Sequence, residues 1–109
     1  MRRVVVGVAM AALIFSGANA GDRDRKEVYE KCDLIGDVAM AIMTGRQAGV
    51  PIRAAIEAAP ADSLGGLTQE IVLWAYDVPE LHSDDLKRDV SEVFGKRVAK
   101  DCVQDLLGE

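Results

Sequence analysis

Two cysteines, Cys32 and Cys102, lie 70 residues apart and are the only two in a chain of 109 residues. If they oxidise within the chain they can pair in one way only. Closing a loop of that length disfavours the unfolded state by roughly 4 kcal/mol on the chain-entropy model. A small domain has little more stability than that in total, so such a bond would decide the architecture. The separation is unlike the short Cys-x-x-Cys spacing of a redox dithiol or a zinc knuckle, and His82 is the only imidazole in the chain. Redox catalysis and structural zinc are therefore set aside, and no metal or cofactor is expected. Two buried free thiols are the alternative reading of the pair.

Oxidation depends on compartment. Met1-Arg2-Arg3 is followed by an uncharged apolar run from Val4 to Phe15 and by a small, polar stretch ending Ala18-Asn19-Ala20. This is the three-part layout of a secretory signal peptide. The cations hold the N-terminus on the cytoplasmic side, the apolar run enters the translocon, and Ala18 and Ala20 suit the narrow subsites of signal peptidase. Cleavage is predicted between Ala20 and Gly21, with residues 1–20 as leader and 21–109 as a single domain. A retained anchor is the alternative, but the run from Val4 to Phe15 is short of the ~20 apolar residues a spanning helix needs. Gly21 stands where a lipid anchor would require Cys, so no stable membrane insertion is expected after cleavage. The expected location is the periplasm or the medium outside the cell.

Composition narrows the class. With 50% hydrophobic and 28% charged residues the chain is neither a disordered acidic tail nor a multi-span membrane protein. The net charge of −5 becomes −7 once Arg2 and Arg3 leave with the leader, which argues against a nucleic-acid partner.

The spacing of apolar residues predicts four helices. From Asp24 to about Ala48, Val28, Cys32, Ile35, Ala39, Ile42 and Met43 recur at threes and fours, with an unbroken apolar stretch from Val38 to Met43 that predicts deep burial there. Gly45 and Gly49 loosen the end of this helix. Pro51, favoured at a first helical position, opens a short helix to Ala59, stopped by Pro60. Residues Ala61 to Gly66 read as a loop, after which Thr68 caps a helix running through Ile71 to Tyr76. That apolar run could equally form a buried strand, but nothing else in the chain offers a partner strand. Ser83, Asp84 and Asp85 supply a cap and first-turn anions for a helix from Asp84 to about Leu107. Leu86, Val90, Val93, Phe94, Val98, Cys102 and Leu106 mark its inner side.

Bonding Cys32 to Cys102 sets the first and last helices antiparallel, with Gly36 and Ala39 opposite Ala99 and Gly95. Small residues permit the close axial approach that a disulfide requires, since its alpha carbons sit within about 7 Å of one another. The expectation is an all-α fold: a small four-helix domain after a cleaved signal peptide, with one disulfide joining the first and last helices.

Candidate sites are sparse. His82 beside Asp84 and Asp85 could bind a metal weakly or act as a base, but zinc needs three or four ligands and a base needs a positioned partner, so a surface histidine is the default. Glu70, Asp77, Glu80, Asp84 and Asp85 read as a solvated acidic flank rather than a glycosidase pair. Gly65-Gly66 lacks the flanking residues of a phosphate loop and reads as a turn. Trp74 and Tyr76 lie two apart and cannot share one helical face, so one of them is a candidate interface anchor, with core packing of both as the commoner alternative. Arg46, followed by Gln47, either meets a carboxylate on a partner or pairs locally with an Asp or a carbonyl. Candidate partner-binding residues are therefore Arg46, Trp74, Tyr76, Asp77, Pro79 and His82.

The segment Cys32–Gly49, read as C-x3-G-x5-IM-x2-RQ-x-G, followed by Ala75-Tyr76-Asp77-x-Pro79 and a closing Cys102, resembles a family of small exported proteins of proteobacteria and their phages. The resemblance spans most of the chain after the leader. It implies export, a disulfide and a helical fold, and it implies no activity and no site. With no catalytic constellation, the expected function is that of a protein-binding module of inhibitor, immunity or exclusion type, docking on an envelope or extracellular protein. A periplasmic acid or stress chaperone is the alternative, and a small carboxylate-dependent hydrolase is the least supported.

Overall fold

A computed structural model describes residues 7–59 and 66–108, with side chains from Asp24 onward. The described residues form four helices and no strand: α1 Gly7–Gln47, α2 Ile52–Ala58, α3 Leu67–Tyr76 and α4 Asp84–Leu107. Cys32 and Cys102 are bonded, with alpha carbons 5.6 Å apart, so one disulfide joins the first and last helices.

The first helix starts earlier than Asp24. Its backbone is continuous from Gly7, because the apolar segment that ends at Phe15 is itself helix-forming and no proline interrupts the run before Gln47. The opening residues 1–6 of the predicted leader lie outside the described residues, as do the side chains around Ala20 and Gly21.

The end of α1 is sharper than two loosening glycines suggest. Gly49 has φ +91°, and the N–H of Val50 bonds to the Gly45 carbonyl at 3.0 Å while that of Gly49 bonds to the Arg46 carbonyl at 3.1 Å. This pair of bonds is a Schellman stop, with glycine at the left-handed position. Pro51 then sits just outside α2, at φ −65° and ψ 147°, rather than at its first helical position. Thr68 does not cap α3. Gly66 precedes that helix at φ 85°, while Thr68 is buried inside the first turn and its Oγ1 finds no hydrogen-bond partner. Only α4 starts as anticipated: Ser83 Oγ accepts the Leu86 N–H at 3.1 Å, and Asp84 and Asp85 occupy the first turn.

α4 runs back along α1. Cys32 faces Cys102, Gly36 faces Ala99, and Met40 faces Gly95, so residue numbers rise on one helix as they fall on the other. A Cβ added at Gly36 would lie 2.9 Å from Ala99 Cβ and 2.9 Å from the Gly95 carbonyl oxygen. One added at Gly95 would lie 2.8 Å from the Gly36 oxygen and 2.9 Å from Met40 Cβ. Glycine is required at both crossings, and the residue opposite Gly95 is Met40 rather than Ala39. Ala39 turns instead to the core, where it packs with Ile35, Ile71 and Val98.

This close seam reverses part of the expected inner face of α4. Its buried residues are Ser91, Gly95 and Val98, whereas Leu86 (53%), Val93 (61%) and Leu106 (50%) are exposed. Two axes this near leave no room for leucine between them, so small residues face α1 and larger ones turn outward. On α1, likewise, Met40 and Ala41 are exposed within the stretch expected to be wholly buried. α3 also packs against α1 and runs in the same direction. Leu67 and Ile71 pack near Ile35, and Tyr76 reaches Arg46. α2 contributes no buried residue.

Candidate protein-binding surface

The candidate residues fall into two structural groups. Arg46 and Gln47, in the last turn of α1, hold the connection between α3 and α4. Arg46 Nε donates to the Val78 carbonyl at 3.0 Å, its guanidinium lies 3.7 Å from the Glu80 carboxylate, and it stacks 5.0 Å from the centroid of the Tyr76 ring. Gln47 is 2% exposed. Its Nε2 donates to the Pro79 carbonyl at 3.0 Å and its Oε1 accepts the Leu81 N–H at 2.8 Å. Its own backbone carbonyl accepts from Lys87 Nζ at 2.9 Å, tying in the first turns of α4. Tyr76 completes the latch by donating its hydroxyl to the Val50 carbonyl at 2.6 Å.

A planar amide presents a donor and an acceptor side by side, which matches a main-chain carbonyl and an N–H two residues apart. The connection from Val78 to Leu81 has no helical partners for these groups, and the latch satisfies them where they are partly buried. The local alternative for Arg46 is the one observed, through a carbonyl and Glu80. Gln47 enters the sequence reading only as the neighbour of Arg46, although its position carries a signal of its own. It continues the series Ile35, Ala39, Met43 at intervals of four, so it is a polar residue on the most buried stripe of the helix.

Asp77 and His82 are exposed, as are Asp84 and Asp85 at the head of α4, where Arg88 Nη2 pairs with Asp85 Oδ1 at 2.7 Å. Pro79 is exposed while its carbonyl is held by Gln47. The turn from Asp77 to His82 thus presents side chains to solvent from a main chain fixed by α1.

Trp74 stands apart from this latch. The indole is 46% exposed, while Tyr76 is partly covered. Helical side chains lean towards the helix N-terminus, and this carries Trp74 back towards the disulfide end of the molecule. There it borders an open cleft of about 160 Å³ whose other walls are Lys31, Ile35, Leu67, Val98, Asp101, Cys102, Asp105 and Leu106. The disulfide and the core thus underlie the cleft, and two half-exposed apolar side chains, Trp74 and Leu106, flank it.

A larger apolar groove of about 330 Å³ lies between α1, α2 and α3, lined by residues including Val38, Ile42, Val50, Ala55, Thr68 and Tyr76. Among the described residues that line it, none is charged. Among the described residues, no helix is long and apolar enough to cross a membrane. No protein-family model, curated protein or solved structure matches this chain.

Proposed function

We propose that this chain is an exported, disulfide-stapled helical module that binds another envelope or extracellular protein, in the manner of an inhibitor, immunity or exclusion factor. Residues 1–20 serve as the leader in this reading, and 21–109 form the working domain. The disulfide supports it, since such bonds persist in oxidising compartments and are rare in the cytosol.

The observation that carries the reading is Trp74. Tryptophan is among the residues most enriched at the energetic centres of protein interfaces, and a half-exposed indole beside an apolar cleft is costly to leave in water. Here it is presented on a frame that loses little freedom on binding, because α1 and α4 are bonded at one end and pinned through Gln47 and Lys87 at the other.

The test is affinity capture from the host's envelope fraction, using protein expressed from its full coding sequence, in wild-type and Trp74→Ala forms. A specific protein retained by the wild type and lost by the variant is the expected result. The same proteins recovered equally with both forms would remove Trp74 from the interface and sink the reading.

A further inference from the structure

Resting on that protein-binding reading, we infer that the cleft beside Trp74 takes a cationic amphipathic helix of the partner. One leucine- or phenylalanine-sized side chain sits between Trp74 and Leu106, and a lysine or arginine one turn away meets Asp101 and Asp105.

Size sets the apolar part. About 160 Å³ is enough for one large side chain and too little for two. An apolar cavity of about 150 Å³ accepts benzene, which is the scale of a single phenylalanine ring. The floor offers Ile35, Val98 and Cys102, so the guest meets carbon and sulfur rather than hydrogen-bonding groups.

Charge sets the polar part. Asp101 and Asp105 lie one turn apart on α4, both line the cleft and both are exposed, and neither forms an ion pair among the described residues. Lys31, on the α1 wall, is the one cation lining the cleft. An anionic helix would meet two carboxylates against one ammonium. A cationic helix meets the reverse, with the whole chain's charge of −5 acting in the same sense at longer range.

Trp74 is the chain's only tryptophan, so its fluorescence reports on this cleft alone. The probes are two synthetic peptides of equal length, one pairing leucine with lysine at helical spacing and the other pairing leucine with glutamate. They are titrated into the oxidised full-length protein and into an Asp101→Asn, Asp105→Asn double variant. Both substitutions are at exposed positions, and circular dichroism checks that the variant stays folded. The Leu/Lys peptide is expected to shift Trp74 emission to the blue and to bind about tenfold or more tighter than the Leu/Glu peptide. That margin is expected to shrink by about tenfold in the double variant, and to fall as ionic strength rises from about 0.1 to about 1 M. Equal affinity of the two peptides, an unaltered margin in the double variant, or binding without a change in emission would each overturn the assignment. These outcomes leave the capture experiment intact, so loss of the charge assignment is distinguishable from loss of the protein-binding reading.

Discussion

The Oε1 of Gln47 accepts the N–H of Leu81 at 2.8 Å, a contact that closes the chain across 34 residues and holds the α3–α4 connection on the end of α1. The same side chain donates to Pro79, so removing it strands two main-chain groups in a partly buried place.

Replacing Gln47 with Ala should therefore destabilise the protein by about 2–4 kcal/mol, from two lost hydrogen bonds and the desolvation of their former partners. In a domain of this size the melting temperature should fall by about 10 °C or more. Thermal unfolding followed by circular dichroism measures the fall. Hydrogen exchange at Leu81 should rise well beyond the global change, and an unaltered Leu81 rate would show that the amide is protected by something else.

The glycines of α1 should split by sign. Gly36→Ala places a methyl group 2.9 Å from Ala99 Cβ and from a carbonyl oxygen, so the roughly 1 kcal/mol of helix propensity gained is outweighed by about 1–3 kcal/mol or more of overpacking. Gly45→Ala meets only the Val50 side chain, at 3.6 Å from Cγ2 and 3.9 Å from Cβ, both ordinary contacts, and should stabilise by about 0.5–1 kcal/mol. Urea denaturation of the two variants checks both directions, and equal effects would contradict the tight crossing.

Reducing the disulfide should cost roughly 4 kcal/mol on the chain-entropy model, enough to leave so small a domain marginal or unfolded at growth temperature. Cys32 is fully buried, so alkylation without reductant should label neither sulfur. Melting in the presence and absence of reductant, with thiol counting before and after, measures the loss.

Tyr76 and Trp74 should separate stability from recognition. Tyr76→Phe keeps the ring under Arg46 but loses the bond to Val50, for a cost of about 1 kcal/mol with partner capture retained. Trp74→Ala should abolish capture, since half of the indole already lies in solvent and the rest borders the cleft. Melting temperatures and capture measured on the same preparations test the contrast.

Much of this fold was legible because several local rules agreed. Ser83, Asp84 and Asp85 announced the start of α4, and two cysteines with one possible pairing put α1 beside it. The inner face of α4 departs from its apolar spacing at Leu86, Val93 and Leu106, because a count of large apolar residues assumes that they face inward. A crossing close enough for Gly36 and Gly95 selects small residues instead, and spacing alone does not report axial distance. Thr68 looked like a cap because hydroxyls favour that place, whereas Gly66 took the preceding turn through a backbone angle unavailable to threonine at little cost. At the candidate surface, the two-residue offset of Trp74 from Tyr76 says that the two face differently but not which of them is the more exposed. The role of Gln47 was not legible either, since its partners are main-chain atoms that leave no trace in residue type.

Along the sequence, every other buried core residue among the described residues lies between Cys32 and Cys102, so the sulfur link closes the core off from the segments before and after it. A pull applied between the ends, by a translocase, a protease or a moving partner, would pass from Cys32 straight to Cys102. The helices between them would sit in a sealed bight that carries no tension.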